Sequence, residues 1–122
     1  MKKFYYLSTC DTCKRILKEL DPPAEVKLQD IKEFPLLEID LELLAGLSGS
    51  HEALINKRAR LYQQRGLKDK VLTEEEYKEL LLEHYTFLKR PVLVLEDDIF
   101  IGNSKGTVEA AKTALKKAGS EQ

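Results

Sequence analysis

The sequence predicts an α/β domain, and three observations carry that expectation. A strand, a helix and a second strand fall within the first 30 residues. A short apolar hairpin followed by a helix closes the chain. The stretch between them, 36–85, has helical periodicity. The chain has 122 residues, and domains usually run to ~100–200 residues, so one domain over 1–122 is expected. Hydrophobic residues make up 43% and charged residues 34%. That mixture fits a folded globular chain and argues against a disordered or collagen-like one.

Lys3–Leu7 is short and rich in Phe and Tyr, which reads as a strand. Ser8-Thr9 marks a break. From Thr12 to Leu20 the apolar residues Ile16, Leu17 and Leu20 keep helical spacing. Asp21-Pro22-Pro23 stops that helix, because the first Pro restricts Asp21 and neither Pro can donate a backbone hydrogen bond. Glu25–Asp30 carries Val26 and Leu28 in alternation, a second strand. Strand, helix and strand this close form a βαβ unit, so the two strands should run parallel.

The middle is helical. Leu36 to Leu47 carries Ile39, Leu43, Leu44 and Leu47, ending near Gly46. His51 to Leu67 reads as a second helical region broken at Gly66. Thr73 and Glu76 form a capping box, and Tyr77, Leu80, Leu81 and His84 follow at helical spacing. Val92–Leu95 and Ile99–Ile101 read as a hairpin about an Asp97-Asp98 turn. Thr107–Ala118 closes the chain, with Val108, Ala111 and Leu115 on one stripe. A βαβ unit plus a ββα unit is the plan of the thioredoxin-like fold (β-α-β … β-β-α). Its core is expected at 1–35 and 86–122, with an inserted helical subdomain at 36–85.

The two cysteines, Cys10 and Cys13, stand three apart where a strand ends and a helix begins. Two such close cysteines cannot cross-link distant segments as a secreted disulfide framework does. Structural zinc needs four ligands, and no second Cys pair accompanies His51 or His84, so no metal site is expected. Redox chemistry remains. A helix N-terminus presents unpaired N–H groups and partial positive charge, both of which stabilise a thiolate. Cys10 sits at that mouth, and Cys13 is one turn inside. The placement suits attack by Cys10 and resolution by Cys13. Two incidental buried cysteines are the alternative. Lys14 and Arg15 add positive charge and Asp11 opposes it.

Lys57, Arg58, Arg60, Arg65, Lys68 and Lys70 form a basic segment, and Glu74, Glu75, Glu76, Glu79 and Glu83 make the next helix acidic. Ordinary solvated faces that attract each other account for this. The functional alternative is that one or two arginines lean over Cys10 and bind an anion or a glutathione carboxylate. Arg90-Pro91 leads into the hairpin. Most X–Pro bonds are trans, but in thioredoxin-like folds the Pro opening this strand is usually cis and lies against the active cysteine. Pro91 is therefore expected to be a structural cis-proline, with Arg90 beside Cys10; a helix-end cation is the alternative for Arg90. His51 and His84 read as packing or surface residues, His84 suiting the dipole at a helix end.

Net charge is −1, so the molecule lacks the basic footprint of a direct nucleic-acid binder. No apolar run approaches the ~18–20 residues of a membrane helix. The apolar stretch Phe4–Leu7 is too short for a signal core of ~7–15 residues. No membrane association and a cytoplasmic location are expected.

Residues 3–118 resemble the thioredoxin-fold arsenate reductase (ArsC) family and its relative Spx. The matching residues are Cys10-Asp11-Thr12-Cys13-Lys14, Ala53-Leu54-Ile55-Asn56-Lys57-Arg58, Tyr62 with Gly66-Leu67, and Leu88-Lys89-Arg90-Pro91. The resemblance implies an ArsC-like reductase with Cys10 as catalytic thiol and with Thr12, Lys14, Arg58 and Arg90 in substrate or anion binding. No bound cofactor is implied; glutathione, glutaredoxin or thioredoxin would supply electrons. Arsenate reductases of this family hold the oxyanion with three arginines. Arg90 matches the second, the first falls on Asn56 with Arg58 two residues on, and the third falls near Gly102. An arsenate dianion would be poorly compensated, so thiol–disulfide chemistry is expected rather than true arsenate reduction. The alternative is an Spx-like redox-sensing transcription regulator that binds RNA polymerase. A glycine in that family's polymerase contact falls on Ser50 here, next to Gly49.

Overall fold

The computed structural model describes residues 1–120. It divides into two compact units, one made of residues 1–34 with the chain from Arg90 onward, the other of 35–89.

The first unit is built on a four-stranded sheet. Strands β1 (Lys2–Tyr6), β2 (Lys27–Asp30), β3 (Val92–Leu95) and β4 (Asp98–Ile101) lie in the order β2-β1-β3-β4. β1 and β2 are parallel, with Phe4 opposite Leu28; β1 and β3 are antiparallel, with Phe4 opposite Leu93. Helix α1 (Asp11–Leu20) links the parallel pair and α5 (Lys105–Ser120) closes the chain. This is the thioredoxin-like arrangement expected from the element order. One face of the sheet packs Phe4, Leu93 and Leu95 against Ile16 and Leu20 of α1 and Val108 and Ala111 of α5, with Val26 alongside. Leu17 and Leu115, expected on the helix stripes, are partly buried against this cluster.

Several boundaries shift for local reasons. β1 stops at Tyr6 because the Leu7 carbonyl accepts the Cys10 N–H at 3.0 Å and leaves the ladder. Glu25 and Val26 do not join β2: the Val26 N–H donates to the Pro23 carbonyl at 2.9 Å, which makes a turn. Leu28 is 50% exposed on β2, an edge strand. The hairpin turn falls at Glu96-Asp97 rather than Asp97-Asp98, with Glu96 at φ 54° and Leu95 opposite Asp98. α5 begins before Thr107 because the Ser104 hydroxyl accepts the Thr107 N–H at 3.2 Å, an N-cap bond.

The second unit holds α2 (Glu38–Ser48), α3 (Arg60–Gln64) and α4 (Glu74–Glu83), joined by short 3-10 turns. In α2 the buried residues are Leu41 and Leu44, whereas Ile39 and Leu43 of the expected stripe are exposed. So many positions of this helix are apolar that periodicity could not choose a face. Gly46 lies inside the helix, and Gly49, at φ 98°, ends it. The expected helix over 51–67 is not continuous. Residues 52–54 make one 3-10 turn, Ile55 is extended and bridges Leu88, and α3 covers only Arg60–Gln64. The Asn56 N–H donates to the Phe87 carbonyl at 2.7 Å and the Lys89 N–H to that of Leu54 at 2.8 Å, so a strand-like pairing replaces helical bonds. The Thr73–Glu76 capping box is present, with both reciprocal bonds near 3.0 Å. Tyr77 and Leu81 are its buried residues. His84 stands at the helix end as expected, as the C-cap of α4, its N–H donating to the Leu80 carbonyl at 3.3 Å. It is extended, and its Nδ1 accepts the Thr86 N–H at 3.0 Å.

Basic segment and acidic helix also meet as expected of solvated faces. Arg65 pairs with Glu83 of α4, whereas Lys57 pairs at 2.7 Å with Glu52, which lies in the turn just before it and not on the acidic helix.

Candidate functional site

The two thiols sit at the start of α1, and local backbone bonds put them there. Leu7–Cys10 closes a turn through the 3.0 Å bond from Cys10 N–H to Leu7 O. Cys10 is the N-cap residue, with extended φ and ψ of −98° and 112°, and its carbonyl accepts the Lys14 N–H at 3.1 Å. Its thiol therefore stands where the first N–H groups of the helix have no intrahelical partner. Cys13 lies one turn in on the buried face, with Ile16 and Leu20. Both are free thiols; Cys10 is half-buried and Cys13 fully buried.

Burial opposes ionisation of Cys10, but the Cys13 N–H and thiol, the Arg90 charge and the Thr12 N–H outweigh it. The Cys10 pKa lies below the ordinary thiol value. Burial pushes Cys13 up to about 11; the backbone contact with Leu7 opposes this, and the neighbouring Cys10 adds to it. The two sulfurs are therefore unequal at neutral pH. Cys10 can carry charge, and Cys13 keeps its proton and offers it to Cys10. A disulfide-linked Cys10 would in turn expose its sulfur to attack from one turn away.

Arg90 acts on Cys10 through its charge, which favours the thiolate. The Arg90–Pro91 peptide is cis and Pro91 is buried, its carbonyl accepting the Gly102 N–H at 2.9 Å. Thr12 contributes its main-chain N–H to the Cys10 thiol. Lys14 is exposed, and its ammonium stands 3.6 Å from the Asp11 carboxylate. Arg58 belongs to the second unit, where it is exposed and its N–H donates to Asn56 Oδ1 at 3.1 Å. Gly102 has φ 94°, a left-handed value that favours glycine. Among the described residues no group of three or more His, Cys, Asp or Glu could hold a metal ion, and no helix is long and apolar enough to cross a membrane.

Asp30 is a site-supporting residue that the sequence reading missed. Its Oδ1 accepts the Ser8 N–H at 3.1 Å, just before Cys10, and the Lys32 N–H at 3.2 Å. Burial raises its pKa, but the bonds from Ser8 and Lys32 and the Lys32 charge hold it below the usual carboxylate value. The available signal was its place at the end of the second strand of a βαβ unit, since the C-terminal ends of parallel strands lie side by side.

A thioredoxin-like sheet with an unequal thiol pair at the first strand-to-helix turn defines a class of thiol-dependent proteins. Within that class the chain belongs to the ArsC family, whose model matches residues 5–111. This is a thiol-dependent, oxidoreductase-like family with arsenate reductase-like members. An ArsC family related protein from Bacteroides fragilis is 26% identical, with a TM-score of 0.71, covering 90% of this chain and 96% of that one. A Staphylococcus aureus protein is 28% identical, with a TM-score of 0.71, covering 90% and 97% respectively. An arsenate reductase from Vibrio cholerae shares the fold at 18% identity, with a TM-score of 0.74, covering 90% and 96%. No curated protein sequence matches the chain.

Proposed function

We propose that the protein is an ArsC-like thiol–disulfide oxidoreductase of the cytoplasm, arsenate reductase-like in fold and nucleophile but not a true arsenate reductase. The observation that supports this reading is the inequality of the two thiols: one half-exposed at a helix mouth with a lowered pKa, the other buried one turn away and raised to about 11. The Cys10 thiolate attacks one sulfur of a substrate disulfide, forming a mixed disulfide, and the departing thiolate takes up a proton. Cys13 then gives up its proton, attacks the Cys10 sulfur and releases the second substrate thiol. The substrate gains two electrons and the protein holds a Cys10–Cys13 disulfide. Two glutathiones, or the dithiol of glutaredoxin or thioredoxin, return those electrons. Arg90 favours the Cys10 thiolate, and Arg58 keeps the part in anion binding that the family motif implies. A glycine at Gly102 brings no side-chain charge to an arsenate dianion, which favours disulfide over arsenate chemistry.

Affinity capture with Cys13→Ser tests the proposal, because removing the resolving thiol leaves mixed disulfides on Cys10. Thiol proteins or glutathione released by reductant are the expected finding. Recovery of RNA polymerase with Cys10→Ser as well as with the unaltered chain, and no mixed disulfide, would replace the enzyme by the Spx-like regulator.

A further inference from the structure

We propose that Asp30 is a positioning residue for the Cys10 thiolate, holding the turn that delivers it to the mouth of α1. The inference rests on Cys10 being the reactive thiol and adds a residue from outside the Cys-X-X-Cys segment.

The geometry is specific. β1 and β2 are parallel, so their chains leave the sheet at the same end, with Tyr6 opposite Asp30. The Ile31 N–H donates to the Tyr6 carbonyl at 2.9 Å and extends the ladder by one bond. Beyond that point the two chains diverge, one toward Cys10 and the other toward Phe34. One carboxylate oxygen spans the divergence: Asp30 Oδ1 accepts the Ser8 N–H at 3.1 Å and the Lys32 N–H at 3.2 Å. The Ser8 side chain bonds the same carboxylate. The Asp30 carbonyl is also engaged, accepting the Phe34 N–H at 2.9 Å.

Ser8 is the second residue of the Leu7–Cys10 turn. Fixing its N–H fixes the plane of that turn and hence the direction in which Cys10 enters the helix. The sulfur meets the Thr12 and Cys13 N–H groups only if Cys10 arrives in that orientation. Hydrogen bonds to a charged acceptor depend strongly on alignment. A loosened turn therefore costs thiolate stabilisation even where the fold survives. The carboxylate's own charge works the other way, since a negative group near a thiolate raises its pKa. Charge and clasp thus predict opposite signs when Asp30 is replaced.

The test follows the rate of Cys10 alkylation against pH in the full reduced chain for Asp30→Ala and Asp30→Asn, with thermal melts as a control on folding. Asn keeps the accepting oxygen and loses the charge. In Asp30→Ala the curve should move to higher pH, and the rate at neutral pH should fall roughly threefold or more, as when a hydrogen bond to a charged group is weakened. Asp30→Asn should stay at the wild-type curve or below it in pH. If Asp30→Ala does not fold, Ser8→Pro, which deletes both the turn N–H and the side-chain hydroxyl that bond the Asp30 carboxylate, is read in the same way. A folded Asp30→Ala with an unmoved curve, or one shifted to lower pH, overturns the proposal. If wild-type Cys10 titrates as an ordinary thiol and forms no disulfide with glutathione, the functional reading of the pair fails, whatever the variants do.

Discussion

Limiting alkylation of the fully reduced protein at neutral pH should label Cys10 and spare Cys13. The magnitude follows from the two environments. With its pKa pushed up from 9.0 to about 11, Cys13 is thiolate in only ~1 molecule in 10⁴ at neutral pH, whereas a thiol at the ordinary value is ~1% ionised. Cys10, held below its ordinary value, is ionised at least to that extent, so the thiolate populations differ by ~100-fold or more. A thiolate of higher pKa is the better nucleophile, and a Brønsted slope of ~0.4–0.5 returns ~10-fold of this to Cys13. The remaining preference for Cys10 is ~10-fold or more before access is counted. Access acts in the same direction, since Cys13 is fully buried and Cys10 is not. The assay is equimolar iodoacetamide, quenching, digestion and quantification of the Cys10 and Cys13 products, which needs cleavage at or chemical resolution within the single peptide they share. Equal labelling, or preference for Cys13, would refute the reasoning and reverse the roles of attacking and resolving thiol.

Replacing Arg90 with Ala should raise the pH at which Cys10 becomes reactive, because the guanidinium charge favours the thiolate; an unmoved alkylation curve would remove Arg90 from the site. Arg58→Ala should instead slow reaction with glutathione while leaving that curve in place, as read by single-turnover rates. Cys13 binds its proton more tightly in the fold than in the unfolded chain. Its contribution to stability is therefore fully present below the ordinary thiol pKa and is lost as pH rises through about 11; urea melts of reduced wild type and Cys13→Ala across that window should show a shallower decline in the variant. Phe4, fully buried in the sheet–helix core, should cost ~3–5 kcal/mol when cut to Ala, while Thr73→Ala, which removes an N-cap bond, should cost ~1 kcal/mol; comparable losses in denaturant melts would contradict the packing described for Phe4.

Signals local in sequence survived into the structure nearly unchanged. The Thr73–Glu76 cap, the stop at Asp21-Pro22 and the apolar run Val92–Leu95 act through neighbouring residues, so a reader of the chain meets cause and effect together. The Cys10–Cys13 placement is of the same kind, since a strand, a turn and a helix start are adjacent along the chain. What distance in sequence separates was not legible there. Asp30 reaches Ser8 across 22 positions only because parallel strands bring their C-terminal ends together. Ile55 leaves the helical pattern because Leu88 and its neighbours offer backbone partners from 33 residues away. In α2 six of the eleven positions are apolar and they spread around the helix, so its own periodicity could not name Leu41 and Leu44 as the buried pair. The opposite pKa shifts of two cysteines three residues apart have a mixed origin: the burial that raises Cys13 and the Arg90 charge come from the fold, whereas the Cys13 N–H and thiol and the Thr12 N–H that lower Cys10 belong to the motif itself.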